Sequence, residues 1–288
     1  MTIKNFLLAN KNFFDKKDLE IFLEKVLKCD KNFLFLNEDF FLSHKKIVKL
    51  YKFLKKRKEW FSVASIIWEK FFYWRKFFVN KNVLIPREET EDLIKFILDK
   101  KLDIKNNNLS NNFSKNILDI WTWSWIIPIT LKLELKNKNI NFFASDISNK
   151  ALKVAKKNAK NFWVKIKFFK SDLLKKLPSK LKNKEIFLIT ANLPYVEENF
   201  KTATTAKKLW ILKEPDLALY SWEDWLNHYK KLLEELKNIK FKYLIMEMWS
   251  CQTDKIADLY SSIWNTEIYY DLGWNKRWVF VENVVKQK

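Results

Sequence analysis

The spacing of hydrophobic residues divides the chain into an amino-terminal helical part and a longer part in which strands and helices alternate. In residues 1–74, apolar side chains recur every three or four positions, for example at Leu19, Phe22 and Leu23, which is the spacing of one helix face. The helices predicted in this part are a short one from Phe6, then 18–29, 44–58 and one from Ser62. We therefore expect residues 1–74 to form a small helical bundle whose role is to hold a partner.

Residues 71–87, FFYWRKFFVNKNVLIPR, change to a β-like pattern that predicts a hairpin. Turns are expected at Trp74 and at 80–82, and Pro86 ends the segment. The predicted domains are a helical substrate-binding domain at 1–74, a β-hairpin hinge at 75–87 and a ligand-binding domain at 88–288.

Strands and helices alternate from residue 116 onward. Strands are predicted at 116–120, 139–145, 165–170, 185–191, 240–248, 266–271 and 278–283. Helices are predicted at 88–100, 124–136, 148–160, 223–238 and 252–263. This alternation predicts an α/β fold with a seven-stranded, mostly parallel, doubly wound sheet. Ligands of such sheets bind beyond the carboxyl ends of the strands, near the point where the strand order reverses.

Residues 116–130, NILDIWTWSWIIPIT, have the form of the first strand–turn–helix unit of a domain that binds a dinucleotide or S-adenosylmethionine. Such a turn reads D-x-G-x-G-x-G, because glycine permits a tight turn and a close approach of the backbone to the ligand. Asp119 stands at the acidic position, and tryptophan stands at all three glycine positions. The residues expected to hold the cofactor here are Asp119, Trp121, Thr122, Trp123, Ser124 and Trp125.

Composition explains the tryptophans in this turn. The chain has 14 Trp and 1 Gly, whereas about 7% glycine, or roughly 20 residues, is usual for this length. An indole is bulky, and its Cβ disfavours positive φ. We hypothesise that the gene comes from an organism in which UGA encodes glycine and was translated with UGA as tryptophan. The alternative is an aromatic-rich core with true tryptophans. Under either interpretation, a structure with tryptophan at the printed positions should show indoles crowding the 121–125 turn.

Charge, cysteines and hydropathy narrow the remaining function classes. The net charge of +21 fits either a polyanionic partner such as RNA or the lysine enrichment of an A/T-rich genome. Cys29 and Cys251 are far apart, and His44 and His228 lack ligand spacing, so we expect no disulfide and no metal. We also expect no membrane segment and no signal peptide, hence a cytoplasmic protein.

Polar residues follow three successive predicted strands. Asp146 ends the second strand, some twenty residues after the turn, a spacing that suits a carboxylate accepting hydrogen bonds from ribose hydroxyls. Asp172 and Leu173 follow the third strand, where they are placed to hold an adenine, and Asn192 follows the fourth. Each residue alone is also typical of a helix cap. Together they favour an adenosyl ligand.

The tetrapeptide Asn192-Leu193-Pro194-Tyr195 resembles the [N/D]-P-P-[Y/F] motif of methyltransferases that act on planar nitrogens. An amide nitrogen is a poor nucleophile because its lone pair is delocalised. The Asn192 oxygen and a backbone carbonyl of the motif can accept hydrogen bonds from both N–H groups of the target. These hydrogen bonds orient the lone pair of the target nitrogen. Tyr195 can stack on the planar group. Leu193 departs from the motif's first proline, but carbonyl acceptors do not need that ring.

Longer segments resemble the HemK/PrmC family of glutamine-N5 methyltransferases. FFYWRKFFVNKNVLIPREETEDLI is similar to that family's F-x-G-x-x-F-x-V followed by V-L-I-P-R-P-x-T-E, with Glu88 where proline is usual. KEPDLALYSWEDWLNHY resembles E-P-x-x-A-L-x-x-G-x-x-G, and DLGWNKRWVFVE resembles D-x-x-G-x-x-R-x-V. Tryptophan falls on family glycines repeatedly, including Trp60 and Trp68.

The resemblance implies a Rossmann-like, class I S-adenosylmethionine methyltransferase domain behind a helical bundle. It implies transfer of a methyl group to the glutamine of the Gly-Gly-Gln loop of peptide-chain release factors. By position, the 121–125 turn holds the methionine end of the cofactor, Asp146 the ribose and Asp172 with Leu173 the adenine. Residues 192–195 hold the target glutamine, and Arg87 and Glu91 brace the hinge.

Two other functions stay open at this level. An adenine-N6 methyltransferase acting on rRNA or DNA also uses an N-L-P-Y motif, and the +21 charge suits RNA. Those enzymes place their helical domain after the catalytic one, unlike this chain. If the tryptophans are real, the pocket is plugged and the chain is a binding module without catalysis. We expect a monomer that does not require nucleic acid.

Overall fold

The computed structural model describes residues 1–99, 115–121, 125–136, 139–194, 213–219 and 225–283. These residues form two compact units. The first contains Met1–Glu69 and Lys213, and the second contains the other described residues from Lys70 onward. None of the described helices is both long and apolar enough to cross a membrane.

Five helices form the described part of the first unit. They are α1 (Ile3–Asn10), α2 (Lys16–Leu27), α3 (Lys31–Leu36), α4 (His44–Lys58) and α5 (Val63–Ile67). The first begins earlier than predicted, because the Thr2 side chain caps it by accepting from Asn5 N–H at 3.2 Å. The short α3 was not predicted. Leu34 is the one buried residue of this helix, and a single buried position does not produce the repeat of apolar residues that predicts a helix.

A hairpin opens the second part of the chain and starts before the predicted residue 71. Its strands are β1 (Glu69–Phe72) and β2 (Arg75–Phe78). Tyr73 and Trp74 form the turn with φ of 46° and 65°, so both central residues are left-handed, as a type I′ turn requires. Residues 79–87 continue without strand structure, which corrects the extent of the hairpin assigned to 75–87.

Seven strands form the main sheet of the second unit. They are β3 (Lys115–Ile120), β4 (Ile140–Asp146), β5 (Lys167–Lys170), β6 (Ile186–Asn192), β7 (Phe241–Glu247), β8 (Asn265–Tyr270) and β9 (Lys276–Glu282). The strand order is β5-β4-β3-β6-β7-β9-β8, and only β9 runs antiparallel to its neighbours. The predicted α/β class with a mostly parallel sheet is confirmed.

Helices cover both faces of this sheet. They are α6 (Glu89–Asp99), α7 (Ile126–Leu135), α8 (Asn149–Asn161), α9 (Ser179–Lys182), α10 (Asp216–Leu219), α11 (Asn227–Leu236) and α12 (Thr253–Ser261). Alternate residues of each strand enter two separate apolar clusters: Leu118 and Ile189 belong to one, and Ile117 and Leu188 to the other. The chain winds in one direction from β3 to β5 and then returns to β6 beside β3, which places the switch point between β3 and β6.

Candidate functional site

The strand register brings the predicted polar residues to one edge of the sheet. Ile120 at the end of β3 pairs with Ser145 on β4 and with Ala191 on β6. One residue further along, Asp146 ends β4 and Asn192 ends β6. Because these strands are parallel neighbours of β3, both side chains border the switch point.

Asp119 lies beneath this edge and is fully buried. Thr190 Oγ1 donates a hydrogen bond to Asp119 Oδ1. The other oxygen, Oδ2, has no hydrogen-bond partner among the described residues. Burial raises the pKa of Asp119 well above its usual range, and the charge of Asp146 raises it further. A buried carboxyl group with an unsatisfied oxygen below the turn fits a site that is completed by a bound polar group or water.

Asp146 is almost completely buried at the end of β4. Its Oδ1 accepts from Ser148 N–H at 2.7 Å, which starts the turn into α8. This carboxylate therefore shapes the turn before α8, whose N-cap is Ser148, while its position at the strand end keeps it beside the switch point.

The printed turn places two indoles in the site. Trp121 and Trp125 are buried and have φ of 55° and 65°. The Trp121 ring packs edge-on against His228 with centroids 4.6 Å apart, and Trp125 Nε1 has no hydrogen-bond partner among the described residues. Burial lowers the pKa of His228, which favours the neutral imidazole. The expectation that indoles crowd this turn is thus met by Trp121 and Trp125.

Three of the predicted turn residues, Thr122, Trp123 and Ser124, lie outside the described residues, as does Tyr195.

Asp172 and Leu173 follow β5 at the same edge. Asp172 is partly exposed and pairs with Lys175, one turn further along. Leu173 has a buried side chain and a left-handed backbone with φ of 48°. The adjacent Leu174 N–H donates to Glu235 Oε2 at 2.7 Å, which fixes this corner to α11.

Asn192, Leu193 and Pro194 are all buried at the end of β6. The register places Asn192 directly beside Glu247, the last residue of β7. Sequence analysis missed Glu247. The acid after the apolar run of β7 was the available signal, since it repeats the pattern of a polar residue at a strand end.

Glu247 is a buried acid whose two carboxyl oxygens differ in their hydrogen bonding. Thr90 Oγ1 donates to its Oε1 at 3.3 Å, and its Oε2 has no partner at full hydrogen-bond geometry among the described residues. Burial raises the pKa of Glu247 to about 7, although Thr90, Arg277 and the Asn192 side chain all act to lower it. This carboxyl group can therefore change its charge near neutral pH.

The segment around Arg87 is held by a second buried acid. Arg87 Nη2 donates to Glu214 Oε1 at 2.9 Å, and Ile85 N–H donates to Glu214 Oε2 at 3.4 Å. Burial raises the pKa of Glu214 in spite of the Arg87 charge. Glu91 Oε1 accepts from Tyr73 N–H in the hairpin turn at 3.0 Å. These contacts give Arg87 and Glu91 structural partners.

No cluster of three metal-binding side chains occurs among the described residues.

Comparison with known proteins places these features in context. No family model matches the chain. The chain is 31% identical to the release factor glutamine methyltransferase of Bacillus anthracis over 277 residues, which cover 93% of each protein. It is 32% identical to the protein of that name from Flavobacterium psychrophilum, over 81% of each chain. The protein of that name from Mycoplasma mycoides is 32% identical over 90% of this chain and 89% of that relative.

Solved structures share the fold at low sequence identity. The hMettl16 catalytic domain in complex with MAT2A 3′UTR hairpin 1 has a TM-score of 0.54 and 10% identity, covering 87% of this chain and 84% of that one. The human methyltransferase 10 domain containing protein has a TM-score of 0.50 and 13% identity, covering 84% and 98%. This likeness shows that the chain shares the fold of these methyltransferase structures.

Proposed function

The chain belongs to the family of release factor glutamine methyltransferases, and from this membership we propose that it methylates N5 of the glutamine in the Gly-Gly-Gln loop of peptide-chain release factors. The observation that carries the proposal is the location of Asn192-Leu193-Pro194 at the carboxyl end of β6, beside the switch point. The neighbouring strand ends supply Asp146 and Asp172 for an adenosyl ligand. The adenine-N6 alternative has no comparable support, because the likeness to an RNA-bound methyltransferase extends to the fold alone.

S-adenosylmethionine is the cofactor that the family implies, and the strand ends fit it. Asp146 is placed for the ribose hydroxyls, and Asp172 with Leu173 for the adenine. Asp119 contributes a buried oxygen that lacks a partner within the described part of the chain. The printed turn does not fit, since the buried indoles of Trp121 and Trp125 occupy it. When bound, the cofactor supplies a methyl group on a positively charged sulfur.

We propose that Asn192, Pro194 and Tyr195 perform the catalytic work on the nitrogen. The Asn192 Oδ1 and a backbone carbonyl of 192–194 accept hydrogen bonds from the two N–H groups of the target carboxamide. Their partial negative charges offset the positive charge that develops on nitrogen as its lone pair is used. Burial of Asn192, Leu193 and Pro194 excludes water, which strengthens these interactions. Tyr195 stacks on the planar group.

We further propose that the cellular protein has glycine where tryptophan is printed. Seven described tryptophans have positive φ: Trp60, Trp68, Trp74, Trp121, Trp125, Trp163 and Trp274. A side chain in this conformation costs about 1–2 kcal/mol. The single printed glycine, Gly273, does not use positive φ. Glycine at 121 and 125 also removes the indoles that fill the turn.

The amino-terminal helical unit is proposed to grip the release factor. It exposes large apolar side chains, among them Phe13, Phe35, Leu36 and Phe41. Such side chains are typical of surfaces that contact another protein. We propose that the enzyme acts as a cytoplasmic monomer, without a metal ion and without a requirement for nucleic acid.

Methyl transfer to a purified release factor tests the proposed function. The full chain is made with glycine at all 14 tryptophan positions and is incubated with methyl-labelled cofactor and release factor. We expect label on the glutamine of the Gly-Gly-Gln loop, located by mass spectrometry of the digested factor. The printed chain should give no label, because its turn is filled.

Three controls make the assay decisive. A release factor with glutamate in place of the target glutamine should stay unlabelled. Ribosomal RNA offered as the acceptor should also stay unlabelled, and labelling there would establish the adenine alternative instead. A folded glycine-containing chain that labels neither acceptor would refute the proposed activity.

Substitution of Asn192 tests the proposed catalytic group in the same assay. We expect Asn192→Ala to lower kcat by about 100-fold, the usual loss when one charge-stabilising partner is removed. An unaltered kcat would remove Asn192 from the mechanism.

A further inference from the structure

Glu247 is a buried acid whose position demands an explanation. It ends β7 in register with Asn192 on β6, and 3% of its surface is exposed. A buried acid is disfavoured unless its oxygens are well partnered, yet the Thr90 hydrogen bond to Oε1 is long, at 3.3 Å, and Oε2 has no partner at full hydrogen-bond geometry among the described residues. A stability role alone does not account for this carboxyl group, because an apolar residue would pack here without the desolvation penalty.

The chemistry of the two neighbouring side chains suggests what Glu247 does. A carboxylate has acceptor oxygens and no donor, whereas the Asn192 carboxamide has one acceptor end and one donor end. Only the NH2 end of Asn192 can therefore form a favourable contact with ionised Glu247. The Asn192 Oδ1 then points away from the carboxylate. We propose that Glu247 is a positioning residue that selects the orientation of the Asn192 carboxamide, so that its oxygen meets the N–H bonds of the target glutamine.

This inference rests on the proposed role of Asn192. If the carboxamide turned over, its NH2 group would face the NH2 group of the target, and donor would meet donor. A carboxylate excludes that orientation, whereas glutamine at 247 would accept both. The identity of the residue at 247 thus controls which end of Asn192 faces the substrate.

The groups that face Glu247 determine when it is ionised. Arg277 on β9 favours the charged form, as do the Thr90 hydroxyl and the Asn192 amide, while Glu89 on α6 opposes it. Tyr229 OH donates to the backbone oxygen of Glu247 at 3.3 Å and leaves the carboxyl group free of that contact. Burial dominates and brings the pKa to about 7. A protonated Glu247 becomes a donor and no longer excludes the reversed amide.

Side-chain amide NMR tests the proposal without needing catalysis. The full chain is labelled with ¹⁵N-asparagine, and the Asn192 NH2 signals are identified by their loss in Asn192→Ala. We expect these signals to titrate with a midpoint near pH 7, because burial raises the pKa of Glu247 to about 7. The titration should disappear in Glu247→Gln and persist in Glu282→Gln, a matched substitution on β9 at the opposite end of the sheet. The proposal would be overturned if the Asn192 NH2 chemical shifts changed neither with pH nor in Glu247→Gln.

Kinetics of the glycine-containing chain give the second readout. We expect Glu247→Gln to lower kcat by about 100-fold, as misorientation of a reacting group does, with little change in the KM for the cofactor. The parent kcat should rise with pH through about 7, and Glu247→Gln should lack this rise. Glu282→Gln should retain both the rate and the pH profile. An unchanged kcat and pH profile in Glu247→Gln would also overturn the proposal. An inactive parent chain would instead refute the proposed function, and the NMR experiment would still decide the role of Glu247.

Discussion

At the scale of single residues, backbone conformation separates two groups of tryptophans. Trp60 and Trp163 both follow a helix at the C′ position and form the Schellman pattern that glycine favours. At Trp163, Val164 N–H donates to Ala159 carbonyl oxygen at 3.0 Å and Trp163 N–H to Lys160 at 3.1 Å. Trp264, by contrast, is buried against Phe241 and has no positive φ. The proposed codon reassignment would explain both groups, since it would act on every such codon whether or not the backbone needs glycine.

Replacing Trp163 by glycine should stabilise the printed chain. The indole is 93% exposed, so little burial is lost, and its φ of 56° is relieved. We expect the free energy of unfolding in urea to rise by about 1 kcal/mol. Trp163→Ala removes the same indole but keeps a Cβ at positive φ, so it should give no comparable gain. Equal stabilities of the two variants would contradict the backbone explanation.

Glu247 should make the stability depend on pH in a defined direction. Its folded pKa of about 7 lies above the ordinary 4.5, so the folded state retains a proton that the unfolded state has lost. Stability therefore falls as pH rises from 4.5 through 7, by ~3 kcal/mol from this group. We expect urea unfolding to show that Glu247→Gln gains stability relative to the parent by about this amount between pH 4 and pH 8. A difference that is constant with pH would exclude a buried titrating Glu247.

At the scale of elements, local sequence predicted the strands of the main sheet and the longer helices, but not the short helices or the partners that join the elements. The apolar runs of β3, β4, β6 and β7 and the polar residues that end them are visible in the sequence, because buried parallel strands are continuously apolar. The pairing of Glu247 with Asn192 and with Thr90 depends on register between distant segments. No spacing along the chain reports such a contact. The first β-hairpin strand was placed too late for a similar reason, since Glu69 and Lys70 are polar and their strand structure comes from pairing in the hairpin.

Asn158 illustrates a long-range contact that fastens one element to another. This fully buried side chain on α8 accepts from Phe78 N–H at 2.8 Å and donates to Phe78 carbonyl oxygen at 2.9 Å, which ties β2 to the helix. We expect Asn158→Ala to lower the free energy of unfolding by about 2 kcal/mol, because two backbone groups lose their partners. Asn161→Ala, an exposed position on the same helix, should change it little. Equal effects of the two substitutions in urea titrations would contradict this role.

At the scale of the whole molecule, the sheet gathers residues from distant parts of the sequence at one edge. Asp119, Asp146, Asn192 and Glu247 come from four parallel strands that run side by side. The Asn192-Leu193-Pro194 segment lies beside the switch point because it stands at the carboxyl end of β6. The net charge of +21 is spread along a lysine-rich chain and does not by itself identify a partner. Family membership and the strand-end residues together support action on a protein amide.

The proposed methyl transfer requires a turn at 121–125 that is open to the cofactor. Mass spectrometry of the protein isolated from its own cells tests this most directly, by sequencing the peptide that contains positions 121, 123 and 125. We predict glycine at all three positions, and glycine at the other printed tryptophans in the remaining peptides. Intact tryptophan at 121, 123 and 125 in the cellular protein would contradict the account, because indoles would then fill the site that the cofactor requires.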